Sequence, residues 1–453
     1  MTSSKRSRAR FLFRDNAFLP TPRLLRLIVL GTAVTLLASA WGMEIQAAAG
    51  FYSILGILTL ADAVGLWRKG KVELSRSTPH LFELGSDSDV VLRASHPAPY
   101  PVRVHLRDDF PLGFYADRRD LSLTLPPAGS GSVMYRLRPH RRGLHPFGKI
   151  HARVTGRLGL LMRQQAQTAE HEVRVFPPLQ EVRRVRAGVY RKLLTAEGPH
   201  TWRGLGQGSE FSHIRGYVPG DEPRLINWSA TARRHKLATN AYQPEQGQHV
   251  VILIDCGRIM GVKDGEWSRL DRAVEGALAF AAIALERGDQ VSLFAFANRV
   301  LRWVPGAKGR SQLQRLVEAC YNLEPAYAES NYRAVVESLA FRQKRRALVA
   351  LFTDTGNLTY ADDLMEQLTR LQRHHAVMTV TCEDSILQRE QNRFPQEELD
   401  VFRKTVAQRV SEERREQMVY LRRRGVTVLD VPPDQLATSV IHQYIEIKNR
   451  GLL

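Results

Sequence analysis

The stretch HVVILIDCGRIM, residues 249–260, decides the fold. Its apolar run from Val250 to Ile254 has no polar interruption, which is typical of a strand buried on both faces of a parallel sheet. Asp255 ends this run. Ligands of open α/β sheets bind outside the carboxyl ends of the strands, so Asp255 is a candidate functional residue. An acid at this position can equally cap the segment that follows it.

Working outward, apolar runs alternate with helical patterns toward the C-terminus. The runs lie at 291–297, 300–304, 347–352, 376–381 and 426–429, and the helical patterns at 270–287, 311–321, 332–341, 361–374, 395–424 and 435–448. This alternation predicts an α/β fold, a doubly wound domain over residues 248–453. The run at 347–352 also leads to an acid, Asp354. We therefore expect Asp255 and Asp354 to face each other across the carboxyl edge of the sheet.

The N-terminal part indicates a membrane anchor. Residues 1–23 form a basic segment. Residues 24–67 contain two long apolar stretches, 24–41 with Arg26 as its only charge and 45–67 with Asp62 as its only charge, and a short turn that ends at Glu44 separates them. Each stretch is near the ~20 residues that a transmembrane helix needs. A second apolar stretch so soon after the first argues against a cleaved signal peptide, and a soluble helical hairpin is the remaining alternative. Because both flanks are basic, we expect both termini and the soluble domains to be cytoplasmic.

Two further segments precede the α/β domain. Residues 72–177 contain short alternating strands separated by proline and glycine, which predicts a small antiparallel β-sandwich-like module with a structural or interaction role. Residues 178–247 read as a basic linker and a distinctive sequence block. The glycine-rich piece at 204–208 lacks the spacing of a dinucleotide-binding loop, and the piece at 306–311 lacks that of a P-loop.

The charge and the cysteines limit the possible partners. The net charge of +19 suits nucleic acid, an anionic membrane or an acidic protein. Much of the charge is juxtamembrane or interleaved with acids, and no nucleic-acid motif is present, so we expect binding to the lipid bilayer and not to nucleic acid. The three cysteines, Cys256, Cys320 and Cys382, show neither a disulfide framework nor zinc-ligand spacing.

The block at 210–237 concentrates charged and aromatic residues around a Pro-Gly turn. One interpretation is structural: its acid pairs with a nearby arginine or with turn amides, and its tryptophan fills a seam between domains. The other is a partner-binding surface with tryptophan and arginine as anchors. The residues concerned are Arg215, Tyr217, Pro219, Gly220, Asp221, Arg224, Trp228 and Arg233.

The alternating pattern resembles a von Willebrand factor A-like domain, and RGYVPGDEPRLINWSATARR, residues 215–234, resembles the signature of the bacterial domain-of-unknown-function-58 family. The resemblance implies a protein anchored in the bacterial inner membrane that works with a MoxR-type AAA+ ATPase in envelope-related assembly. The biochemical role of that family is mostly unestablished.

The resemblance also implies a divalent-cation site of the metal-ion-dependent adhesion type. Asp255 matches its first acid, Ser330 matches its threonine position, and Asp354 matches its last acid. The two serine positions fall on Gly257 and Ile259, which have no side-chain oxygen. Mg²⁺ requires a near-octahedral set of oxygen ligands. We therefore expect a degenerate, weak site and no tightly bound cofactor.

Three functional hypotheses follow. The first is an interaction or adaptor protein without catalytic residues, which we expect. The second is a hydrolase-like enzyme that uses Asp255 with Asp354, or the Cys256 thiol as nucleophile. No histidine stands in a position to act as its base, because His249 lies at the opposite end of the strand. The third is a divalent-metal-dependent A-domain.

Overall fold

The computed structural model describes residues 17–188 except 70 and 80, residues 210–354 except 220 and 244–246, and residues 361–449. The chain divides into two compact units, Met1–Val175 and Phe176–Leu453. The glycine-rich piece at 204–208 and Gly220 of the sequence block lie outside the described residues.

Two helices lie near the start of the first unit, α1 (Pro22–Ala38) and α2 (Glu44–Lys69). Both are long and apolar enough to cross a membrane, with mean hydropathies of 1.8 and 1.6 over the candidate spans. Val29, Leu36 and Ile57 each expose about two thirds of their surface. Apolar side chains displayed in this way suit a lipid environment better than water.

The helices are fastened to the rest of the first unit by polar contacts. The Asp62 carboxylate of α2 accepts hydrogen bonds of 3.0 Å from the backbone N–H groups of Leu158, Leu160 and Leu161. The Thr21 hydroxyl, at the N-cap of α1, donates to the carbonyl of Gly159 over 2.6 Å. The acid that interrupts the second apolar stretch thus holds a turn of the β module.

The β module contains antiparallel sheets in the strand orders β1-β11-β10-β5-β7, β3-β12-β9 and β2-β4-β8-β6. Its strands are β1 (Phe18–Pro20), β2 (Glu73–Ser77), β3 (Phe82–Glu83), β4 (Ser88–Ser95), β5 (Val102–Asp108), β6 (Phe114–Ala116), β7 (Leu121–Leu125), β8 (Ser130–Pro139), β9 (Gly143–Phe147), β10 (Ile150–Thr155), β11 (Leu161–Gln167) and β12 (His171–Phe176). Buried and exposed residues alternate along β5, as a strand with one face in the core requires.

The second unit is α/β, as the sequence predicts. Its strands are β13 (Glu210–Gly216), β14 (Ala238–Gln243), β15 (His249–Asp255), β16 (Lys263–Asp264), β17 (Trp267–Ser268), β18 (Gln290–Phe296), β19 (Val300–Ala307), β20 (Ala347–Phe352), β21 (Ala376–Cys382) and β22 (Thr427–Val431). Its helices are α3 (Gln180–Arg186), α4 (Trp228–Arg234), α5 (Arg269–Glu286), α6 (Arg310–Cys320), α7 (Tyr332–Arg342), α8 (Ala361–Gln372), α9 (Ser385–Asn392), α10 (Glu398–Arg423) and α11 (Leu436–Asn449).

The main sheet of this unit has the strand order β19-β18-β15-β20-β21-β22, in which the neighbours pair in parallel except β18 and β19. Helices cover both faces. Val250, Ile252 and Ile254 pack in one core with α5 and α11, while Val251 and Leu253 pack in the other with α7, α8 and α10. The apolar run of β15 is therefore buried on both faces, as predicted.

Three elements differ from the sequence-based expectations. Residues Phe18–Pro20, expected within the basic tail, form a strand that pairs with β11. The start of the expected linker forms α3, whose Val182 and Val185 are buried in the core beside α5. The expected helix over 395–424 begins at Glu398, and a separate helix, α9, precedes it. A three-residue strand and a one-faced short helix carry too little periodicity for detection.

Candidate functional site

The candidate site lies at the carboxyl edge of the main sheet, where β15 and β20 run side by side. After β15 the chain passes to α5 on one face, and after β20 it passes to α8 on the other. Open α/β sheets bind ligands at such a reversal of strand order. Asp255 is the last residue of β15, and Thr353 and Asp354 directly follow β20.

Asp255 is buried, and four groups of the described residues donate hydrogen bonds to it. Its Oδ1 accepts from the Gly257 backbone N–H (2.7 Å) and from the Ser330 hydroxyl (2.5 Å). Its Oδ2 accepts from the hydroxyls of Thr353 (2.6 Å) and Tyr332 (3.1 Å). Asp255 and Ser330, which the resemblance assigns to one metal site, are thus joined by a hydrogen bond, and the sequence analysis did not identify the hydroxyl donors Thr353 and Tyr332.

The donors around Asp255 are neutral, which shapes its acidity. Burial raises the pKa of the Asp255 carboxyl above its usual value, and the hydrogen bonds from Ser330, Thr353, Gly257 and Tyr332 oppose that rise. Burial, followed by the nearby Asp255 charge, likewise raises the pKa of the Tyr332 phenol. Tyr332 thus stays protonated and keeps its O–H available to Asp255 and Thr353.

Gly257 leaves the space that the Ser330 hydroxyl uses. A Cβ atom built on Gly257 would lie 2.0 Å from Ser330 Oγ and 3.1 Å from Asp255 Oδ1. Its backbone is extended, with φ −68°, so sterics and not the backbone conformation exclude a side chain. A serine at this position, as in the metal-binding version of the site, would displace Ser330.

Asp354 is surrounded by cations instead. Its carboxylate contacts the guanidinium of Arg269, in the first turn of α5. It also contacts the guanidinium of Arg414, in α10, at 3.3 Å. Arg269 also pairs with Asp384, and Arg414 with Asp430 at 2.6 Å. Arg414 further donates to the Thr381 hydroxyl over 2.6 Å. Two arginines thus bind three acids in a network that is largely buried.

These contacts test whether the residues fit a divalent cation. Both oxygens of Asp255 accept hydrogen bonds, and both oxygens of Asp354 contact guanidinium groups. As placed here, neither carboxylate offers a free oxygen to Mg²⁺, so the arrangement does not fit the ion. Among the described residues, no three or more histidine, cysteine or acidic side chains are grouped to hold a metal.

The two thiols at this edge are poorly placed for nucleophilic chemistry. Cys256 is fully buried, and its Sγ lies 3.8 Å from the Ile254 carbonyl. Burial raises the pKa of Cys382 to about 12, against the opposing effect of nearby arginines. A thiolate is the reactive form, and so a raised pKa disfavours reaction at neutral pH.

Among the residues that the structure describes, two loops at the exposed part of the edge bond to each other. The Arg258 backbone N–H donates to the Ala328 carbonyl (2.9 Å), and the Arg258 side chain pairs with Glu329 (2.6 Å). Tyr327, on the same loop as Glu329, is fully exposed. An arginine and a tyrosine therefore stand on the surface beside the buried acids.

The sequence block forms a hairpin of β13 and β14 with α4 between the strands. Arg215 pairs with Asp221 (2.7 Å), and the Val218 N–H donates to the same carboxylate (3.0 Å), as the structural interpretation expects. The Arg215 hydrogen bond is the main influence that lowers the pKa of Asp221. Trp228, however, is 68% exposed.

The remaining block residues lie on the surface or only partly buried. The Tyr217 hydroxyl donates to the Asp221 carbonyl over 3.3 Å, and Arg224 contacts Glu222. Pro219 and Arg233 are exposed. The block thus combines an internal ion pair with an exposed tryptophan, so both interpretations keep a structural basis.

Residues 213–398 match the sequence model of a family described as "Protein of unknown function DUF58". The matched region contains most of the sequence block together with Asp255, Ser330 and Asp354. Arg414 and Asp430, which complete the network around Asp354, lie beyond it.

Among similar proteins, the uncharacterized protein YeaD of Bacillus subtilis is 23% identical over 213 residues, which cover 45% of this chain and 53% of that protein. The uncharacterized protein Rv1480 of Mycobacterium tuberculosis is 20% identical over 190 residues, covering 41% and 59%. The matches thus span little more than half the length of these relatives.

Solved structures give only weak likenesses. Proximal thread matrix protein 1 from the mussel byssus aligns with a TM-score of 0.28 and 11% identity, covering 45% of this chain and 46% of that one. A CARDB domain from Pyrococcus furiosus aligns with a TM-score of 0.15 and 11% identity, covering 23% and 93%. TM-scores this low do not identify a shared fold.

Proposed function

We propose that this chain is a membrane-anchored interaction protein whose α/β unit presents the carboxyl edge of its sheet to a protein partner. The fold we propose for the unit is von Willebrand factor A-like, supported by a central first strand, an antiparallel edge strand and helices on both faces. The two exposed apolar helices support the anchor.

The observation that carries the proposal is that both acids at the strand ends are already bound by side chains of this chain. Asp255 is held by neutral donors and Asp354 by two arginines, so neither is free to act as a base or a metal ligand. Within the described part of the chain, the edge presents Tyr327 and the Arg258–Glu329 pair outward. Tyrosine and arginine are enriched among residues that dominate protein interfaces.

The partner we propose is a MoxR-type AAA+ ATPase, and the setting is envelope-related assembly at the bacterial inner membrane with the α/β unit in the cytoplasm. The resemblance of the block at 215–234 supports this choice. Recognition would not depend on a divalent cation, because arginine side chains already neutralise Asp354.

The test is binding of the detergent-solubilised full chain to a purified MoxR-type ATPase from the same genome, with and without ATP. Tyr327→Ala should weaken binding by about tenfold or more, as loss of an interface anchor does. Phe341→Ala is the matched control: Phe341 is 77% exposed but lies at the other end of α7, toward the amino edge. Absence of a complex, or equal effects of both variants, would contradict the proposal.

A further inference from the structure

A cleft of about 460 Å³ lies on the outward face of the sheet β1-β11-β10-β5-β7 in the first unit. Basic side chains dominate its charged lining. The charged and histidine side chains that line it are His105, Arg107, Asp120, His151 and Arg153. Pro22, the first residue of α1, lines it too.

The register of two neighbouring strands places the four basic residues together. On β5, His105 and Arg107 point outward between buried residues, and on β10 His151 lies opposite Arg107 while Arg153 lies opposite His105. Side chains directly opposite on antiparallel strands are within contact range of one another, so these four side chains can converge on one anion.

One arginine of the cleft is positioned by a buried group. Arg153 Nε donates to the Oε1 of Gln164 over 3.1 Å, and Gln164 is only 2% exposed. Its guanidinium is therefore oriented by the sheet and does not move freely in solvent. Planar guanidinium groups suit phosphate oxygens geometrically. Asp120 is the acid among these lining residues, so the two arginines leave the cleft with a positive balance.

The position of the cleft identifies where such a phosphate would come from. Pro22, the first residue of α1, lines it, and the preceding strand β1 pairs with β11 of the same sheet. If α1 crosses the bilayer, the cleft lies where that helix leaves it, which is the depth of the lipid headgroups. Basic pockets beside membrane helices bind anionic headgroups.

We propose that this cleft binds the phosphate of an anionic phospholipid headgroup through Arg107 and Arg153, with His105 and His151 beside them. The proposal rests on the membrane anchoring in the proposed function and adds a specific lipid contact to it. Free phosphate compounds share the same chemistry, and the experiment separates the two sources.

The experiment measures binding of short-chain phosphatidylglycerol to the full chain in neutral detergent, against phosphatidylcholine of equal chain length and against inorganic phosphate. Phosphatidylglycerol should bind about tenfold or more tightly than phosphatidylcholine, and the double variant Arg107→Gln/Arg153→Gln should lose that preference. Arg118→Gln/Arg136→Gln is the control, since both arginines are exposed on another part of the same unit. It should keep the preference.

Equal binding of the two lipids, or an equal loss in the control, would overturn the proposal. Inorganic phosphate binding as tightly as the lipid would overturn the lipid assignment. An unchanged melting temperature of the Arg107→Gln/Arg153→Gln variant without lipid shows that the fold is intact. Alkaline carbonate washing of membranes tests the anchor separately: release of the chain contradicts the anchor, whereas retention without lipid preference contradicts only the cleft.

Discussion

Asp255 ends β15 and Asp354 follows the neighbouring strand β20, yet the surroundings stabilise these two acids by opposite means. Neutral hydroxyl and amide donors surround Asp255, whereas two guanidinium cations surround Asp354. In a metal site a single cation would serve both acids. Here Arg269 and Arg414 supply positive charge to Asp354 but not to Asp255, and this difference underlies our proposal that the edge needs no bound ion.

The largest loss of stability should follow from removing Arg414, which links Asp354 to Asp430. Arg414→Met leaves Asp354 and Asp430 buried without this partner, and breaking a buried ion pair costs about 3–5 kcal/mol. Urea unfolding of the full chain in detergent measures the loss. Arg409→Met on the same helix is the control: its pair with Glu413 is exposed, and such pairs contribute about 0–1 kcal/mol. Similar losses in both variants would contradict the network.

The next effect separates the two acids directly. Asp354→Asn removes the charge that holds two arginines and should cost about 3 kcal/mol. Asp255→Asn keeps the shape of the side chain, and the neighbouring hydroxyl groups can rotate to accept hydrogen bonds from its amide. It should therefore lower the free energy of unfolding by about 1 kcal/mol. Unfolding of both variants under the same conditions gives the comparison. A larger loss for Asp255→Asn would show that Asp255 also needs its charge.

A smaller effect should follow from restoring the serine of the metal-binding pattern. Gly257→Ser places a Cβ against Ser330 Oγ and should cost about 2 kcal/mol through overpacking. Adding Ser330→Ala removes the clashing hydroxyl and should recover part of that loss. Thermal melting of the single and double variants tests this. A neutral Gly257→Ser would contradict the tight contact between these two residues.

The smallest effect concerns pH. The pKa of Asp255 is raised in the folded chain, so the native state holds its proton more tightly than the unfolded chain, and this contribution to stability is lost as pH rises from about 4 through the folded value. Asp255→Asn lacks the titration. The stability advantage of the wild type over this variant should therefore shrink with rising pH in that window. Unfolding at several pH values measures it, and a growing advantage would mean that the pKa is lowered instead.

The sequence predicts what depends on local pattern. The apolar run Val250–Ile254 identifies a strand buried on both faces, and Asp255 is found at its end. The resemblance assigns Asp255 and Ser330 to one site, and the loop that carries Ser330 does reach the same edge of the sheet.

The side chains that contact Asp255 and Asp354 are brought there by tertiary packing, and the sequence analysis did not predict them. Tyr332 begins a helix and carries no signal that its hydroxyl turns toward Asp255. Arg269 and Arg414 look like ordinary charges on helices α5 and α10, since their burial arises only when both helices pack at the sheet edge. A weak signal was present: Arg414 occupies the inward face of a helix whose other arginines point outward.

Thermal melting of the full chain in detergent, with millimolar MgCl₂ or with EDTA, tests most directly whether the edge is complete without a cation. Any ion that binds the native state must raise its melting temperature. The account predicts that the wild type melts at the same temperature in MgCl₂ as in EDTA. The melting temperature of Asp255→Ala should likewise be equal in the two conditions. A rise with Mg²⁺ in the wild type that disappears in Asp255→Ala would contradict it.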